Sequence, residues 1–188
     1  MNKSHPRKIA KEAGITLVGE IFGGSARYLF ILLLARFAGA QLLGLYSIAN
    51  AITRLFGVIG LAGLDRGVMK FVSFNIGLER KQKAITYIYS ALKIGIFTGL
   101  GVFILQFISA PFISKYFFYD IPELKFYIQI FSFILPFSII GGIAAFSTQG
   151  FQRLKYKVIT VQIFQPTILI ISVLCLYYFT NDSSYIIK

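Results

Sequence analysis

"GITLVGEIFGGSARYLFILLLARF", Gly14 to Phe37, is apolar over the length of a membrane crossing, yet it carries Glu20 and Arg27. About 20 residues at 1.5 Å each cross the hydrocarbon of a bilayer. The run follows a basic tail and ends in "ARFAGAQ", which mimics the small-residue cleavage site of a signal peptide. A signal's apolar region is shorter and carries no charge. The run therefore reads as a retained first span. An ionised group in hydrocarbon costs about 3 kcal/mol by the lower estimates, so such groups face protein, water or a ligand rather than lipid.

Outward from this run, the rest of the chain repeats its character. Of 188 residues, 56% are hydrophobic and 14% charged, and the mean hydropathy is +0.74. An ordinary soluble domain is about 25% charged. The apolar residues come in five long blocks, near 14–37, 42–64, 85–110, 126–149 and 156–179. They are apolar on every side rather than alternating, which predicts helices and not the strands of a barrel. The expected fold is all-α: a polytopic transmembrane helical bundle of about five spans, with residues 1–188 forming a single transmembrane domain. Between the second and third spans, "RGVMKFVSFNIG" predicts a short amphipathic helix at the inner membrane surface.

The net charge of +12 is placed unevenly. Lys3, Arg7, Lys8, Lys11, Arg66, Lys70, Arg80, Lys81, Lys83, Arg153, Lys155 and Lys157 fall on one side of the predicted spans. Only Arg36, Lys115, Lys125 and Lys188 fall on the other. Basic residues concentrate in cytoplasmic loops, so the chain is expected to be multi-pass with its N-terminus in the cytoplasm. The opposite side carries "KYFFYDIPELKFY", an aromatic cluster suited to the headgroup layer. Membrane lipids account for the basic character, and nucleic acid is not an expected partner. The one cysteine, Cys175, has no partner for a disulfide, and the one histidine, His5, lies in the basic tail, so no metal site is expected.

Three cations lie inside the predicted spans: Arg27, Arg54 and Lys93. Glu20 is the one carboxylate placed equally deep. Glu20 and Arg27 are two helical turns apart and share a face with Gly24. That small polar face can admit another helix or line a wet cavity. An ion pair from Glu20 to Arg27, Arg54 or Lys93 is one reading of these charges, and snorkelling to the interface is another for Lys93. The excess of positive charge suits an anionic ligand, and arginine grips phosphate with a forked pair of hydrogen bonds. Arg27, Arg54, Glu20 and Lys93 are thus the candidate substrate-binding residues. Gln162 and Gln165, on one face beside Pro166, add polar groups to the same cavity. Pro136 and Pro166 predict kinks. Gly19/Gly23 and Gly95/Gly99 have the four-residue spacing of close helix packing.

No P-loop, nucleophile elbow or zinc-protease motif occurs, and no acid–base pair stands near a nucleophile, so the chain does not read as an enzyme. No catalytic residue and no cofactor beyond an ion gradient is expected.

"LLLARFAGAQLLGLYSIANAITRLFGVIGLAGLDRGVMKFVSFNIG", Leu32 to Gly77, resembles the N-terminal region of polysaccharide and O-antigen flippases of the multidrug/oligosaccharidyl-lipid/polysaccharide exporter superfamily. The carrying features are Ala35-Arg36-x-x-Gly39, Gly44-x-Tyr46, Gly63-Leu64-x-x-Gly67 and the following Phe71-Val72-Ser73; "STQGFQRLKYKVI" is similar to a later inner connection. The resemblance implies two helical bundles opening alternately and a cargo of oligosaccharide on undecaprenyl-type pyrophosphate. It implies cavity cations near that pyrophosphate, matched here by Arg27 and Arg54. Polysaccharide polymerase and glycosyltransferases are the implied functional partners, and the plasma (inner) membrane is the implied location. This chain would hold most of the first bundle, so it is expected to be the N-terminal part of a longer transporter and not to transport alone. The competing expectations are a cation-coupled multidrug exporter of the same fold and a non-transporting partial membrane protein.

Overall fold

The computed structural model describes residues 4–118, 121–151 and 158–171. Among them there is no strand. Helix α1 runs Ser4–Leu61, α2 Leu64–Gly77, α3 Lys81–Phe117, α4 Pro122–Ser132 and α5 Ile134–Gly150. A last helix is π-helical over Val158–Phe164 and α-helical from there to residue 171. The fold is the expected all-α one, with about five helices. Cys175, Arg153, Lys155, Lys157 and the ending "NDSSYIIK" lie outside the described residues, as do Tyr119 and Asp120 of the aromatic cluster.

Three helical stretches are long and apolar enough to cross a membrane: Gly14–Leu61, Lys81–Phe117 and Pro122–Gly150. The first has 48 residues, more than twice a crossing. It is broken at Gly39, whose φ of 82° and ψ of 168° lie in a region that only glycine occupies at low cost. Its two arms correspond to the first two predicted spans. α3 has 37 residues and so is about 55 Å long, against a hydrocarbon core of about 30 Å. It exceeds the predicted span 85–110 at both ends, because "KQKA" and "PFISKYF" continue the helix beyond the most apolar part.

The fourth predicted span, 126–149, is built as two helices. Pro136 has no N–H for the carbonyl of Ser132 and its ring crowds that carbonyl. The chain answers with a turn at Phe133, whose N–H reaches the carbonyl of Ile130 at 3.2 Å. Of the fifth predicted span, 156–179, only 158–171 is described. Its π-helical start precedes Pro166, which likewise has no N–H for the carbonyl of Gln162.

The chain forms two compact units, one from the sequence up to Leu43 together with that from Leu154, the other Gly44–Arg153. In the first, the buried stripe of α1 is Gly19, Gly23, Ala26 and Phe30. A Cβ at Gly23 would fall 2.8 Å from the carbonyl oxygen of Gln162, and one at Gly19 would collide with Val158. The absent side chains let the last helix lie directly on α1.

In the second unit, Val68, Val72, Ala84, Ala91, Val102, Leu135, Ile139 and Ile143 form one core where α2, α3 and α5 meet. Leu45, Ala49, Ala110, Leu124 and Ile128 form another. Gly95 abuts Ile143, and a Cβ at Gly99 would stand 3.1 Å from Cα of Pro136, so the second glycine pair also serves close packing. Many large side chains face outward, Phe97 at 77% and Phe137 at 78% exposure among them. So much apolar surface turned outward is the pattern for which lipid, not water, is the solvent. The predicted amphipathic helix exists as α2. Its Val68, Val72 and Asn75 are buried, and Gly150 of α5 admits it closely, with Met69 and Val72 as its neighbours.

Candidate functional site

Glu20, Gly24 and Arg27 occupy the stripe of α1 next to the one that is packed. All three are exposed, and no heavy atom lies within 4 Å of where a Cβ at Gly24 would stand. The sequence left two uses for the small residues of this helix, packing or lining a cavity. The structure divides them: Gly19 and Gly23 pack, while Gly24 with the two charges stays uncovered. Among the described residues no ion pair joins Glu20 to Arg27.

Arg54 lies on the arm of α1 after Gly39, within the second unit, and is exposed. Its neighbour Thr53 is 7% exposed and faces inward. One helical step thus separates a core residue from a charged one. Lys93, on α3, is exposed between Leu92, which packs on the core, and Ile94. It stands about 18 Å from the start of α3. The structure therefore places Glu20 and Arg27 in the first unit and Arg54 and Lys93 in the second, each on an outward face of a membrane-length helix.

The two glutamines differ. Gln165 is exposed. Gln162 is half-buried, its Oε1 close to Gly19 and without a hydrogen-bond partner among the described residues. The π-helical start of this helix widens the turn and shifts residues off the face that an α-helical wheel gives them.

One polar residue that the sequence reading passed over is buried more completely than any candidate. Gln106 of α3 has 0% exposure. Its Nε2 donates to Thr53 Oγ1 at 2.9 Å and to the carbonyl of Ile128 at 3.0 Å. Thr53 Oγ1 in turn donates to the carbonyl of Ala49 at 2.9 Å. Three elements, the second arm of α1, α3 and α4, are thereby pinned at one point, one residue from Arg54. The signal was a lone amide in the middle of "FILQFI". Elsewhere, Ser114 Oγ donates to the carbonyl of Ile121 at 2.7 Å and fixes the end of α3 to the start of α4.

Among the described residues no group of His, Cys, Asp and Glu could hold a metal ion. The chemistry on offer is charge presentation by fixed helices. A model of the family described as polysaccharide biosynthesis protein matches residues 9–187 of the chain. No curated protein and no solved structure matches it.

Proposed function

Since the chain belongs to the polysaccharide biosynthesis protein family, we propose that it is a membrane flippase, or the part of one that holds the cargo's charged group. The cargo is oligosaccharide carried on undecaprenyl pyrophosphate, moved by alternating access for surface polysaccharide synthesis. The protein stands in the plasma membrane with its N-terminus in the cytoplasm, works without an enzymatic step, and takes its substrate from glycosyltransferases and delivers it to a polymerase.

The observation that carries this reading is the imbalance of charge on membrane-length helices. Arg27, Arg54 and Lys93 stand on outward faces, and Glu20 is the one carboxylate as far from the ends of the predicted spans. Net positive charge on these helices attracts a pyrophosphate and repels a cationic drug. Arg27 and Arg54 are the proposed pyrophosphate ligands. Glu20 and Lys93 set the field around them, and Gln162 and Gln165 offer hydrogen bonds to the polar head.

The test is complementation of a flippase-deficient strain with the gene as it occurs in its genome, scoring surface polysaccharide and membrane abundance together. Arg27→Ala or Arg54→Ala abolishes export at normal abundance, and Lys at either position restores part of it, because charge survives while the fork is lost. A structural ion pair predicts the reverse: each single change lowers abundance, and removing Glu20 with its partner restores it. Undiminished export by the Arg27→Ala, Arg54→Ala double variant would rule the assignment out.

A further inference from the structure

Between α2 and α3, within the second unit, lies a cleft of about 300 Å³. Leu64, Gly67 and Phe71 line it from α2, and Tyr87, Ser90 and Ile94 line it from α3. The elbow Ala62–Gly63, both residues at positive φ, closes one end. The rings of Phe71 and Tyr87, stacked with centroids 5.2 Å apart, stand toward the other. The stack joins the two helices at this point. Lys70 precedes Phe71, and Lys83 is one turn before Tyr87; both are exposed. Residues 65–83 hold five cations, Arg66, Lys70, Arg80, Lys81 and Lys83, against Asp65 and Glu79. Neither carboxylate belongs to the turns that carry the stack.

We propose that this cleft is a binding site for an anionic glycerophospholipid, with part of an acyl chain between α2 and α3 and the phosphate held by Lys70 and Lys83. The lining is apolar apart from Ser90 and the Tyr87 hydroxyl, which calls for hydrocarbon, and the cations of residues 65–83 call for an anion. The apolar walls exclude a free anion, which would lose its hydration with nothing to replace it. A tail in the cleft and a charged head at a basic rim satisfy both constraints. Basic pockets beside membrane-spanning helices on the cytoplasmic side recognise anionic headgroups in this way. Tyr87, 44% exposed, lines the cleft with a ring that stacks on Phe71 and offers a hydroxyl to the head. The site uses neither of the proposed pyrophosphate ligands and stands whatever the cargo is.

The test uses the purified chain in lipid nanodiscs containing a phosphatidylglycerol with a photoreactive diazirine in its acyl chain, and mass spectrometry of the labelled peptides. Label concentrates on Phe71, Tyr87 and Ile94, and a phosphatidylcholine probe with the same tail labels them far less. Lys70→Gln and Lys83→Gln each lower phosphatidylglycerol labelling about fivefold. Gly67→Phe abolishes it with thermal stability unchanged, because no heavy atom lies within 4 Å of where the new Cβ would stand and the ring enters the cleft. Should that variant fail to fold, the two surface lysine changes carry the test alone. Equal labelling by phosphatidylcholine, label spread evenly to Phe97 and Phe137, or labelling indifferent to both lysines would overturn the proposal.

Discussion

Gln106 has no exposed surface, yet only its amide nitrogen is used; Oε1 has no partner among the described residues. A buried acceptor left unpaired costs about 1–3 kcal/mol, while each bond that the nitrogen makes returns about 1 kcal/mol. The two nearly cancel. Gln106→Leu is therefore expected to change thermal stability in detergent by no more than about 1 kcal/mol. Gln106→Glu, which sets carboxyl oxygens against the carbonyl of Ile128, is expected to lower it by several times as much. A large loss with Leu would show that the amide holds the three helices by more than these bonds. The sequence did not reveal this residue because a lone amide in an apolar block reads alike whether it faces a cavity, a neighbouring helix or a kinked carbonyl. Arg27 and Arg54 were legible as charges inside apolar blocks, and both are exposed, each in a different unit; what they meet was not legible, because a guanidinium at that depth reads alike as an ion-pair partner and as a ligand to an anion.

At the scale of the helix, spacing proved informative where geometry was local. Gly19/Gly23 and Gly95/Gly99 read as packing pairs, and both are. Gly24, whose face read equally as packing or as cavity lining, meets open space. This yields a paired prediction. Gly23→Ala, whose methyl meets the carbonyl of Gln162, is expected to destabilise by about 1–3 kcal/mol. Gly24→Ala is expected to stabilise by up to about 1 kcal/mol through helix propensity. Melting temperatures of the two purified variants check it, and equal shifts would contradict the packing. Gly39→Ala, at φ 82°, is expected to cost about 1–3 kcal/mol or to straighten the break, which spin-label distances across residue 39 would report. The kink at Pro136 was legible from the missing N–H alone. The π-helical stretch Val158–Phe164 was not, because one extra residue in a turn leaves no compositional trace.

At the scale of the whole chain, the apolar blocks gave the helices because lipid tolerates no unpaired backbone. Their ends were harder, since α3 outruns its apolar segment on both sides. Sidedness rests on charge placement, and labelling decides it. In a Cys175→Ser background, Lys81→Cys is expected to be shielded from an impermeant thiol reagent in intact cells, and Lys115→Cys to react. The opposite pattern would invert the topology. The packing of Gly19 and Gly23 on Val158 and Gln162 also bears on how the protein is made. At about 5–20 residues per second, the roughly 140 residues between the two partners take on the order of ten seconds to synthesise. For that interval the newborn first helix waits in the membrane with its glycine stripe bare. A chain halted before Val158 never covers it, and is left with a surface ready to pair with the wrong helix.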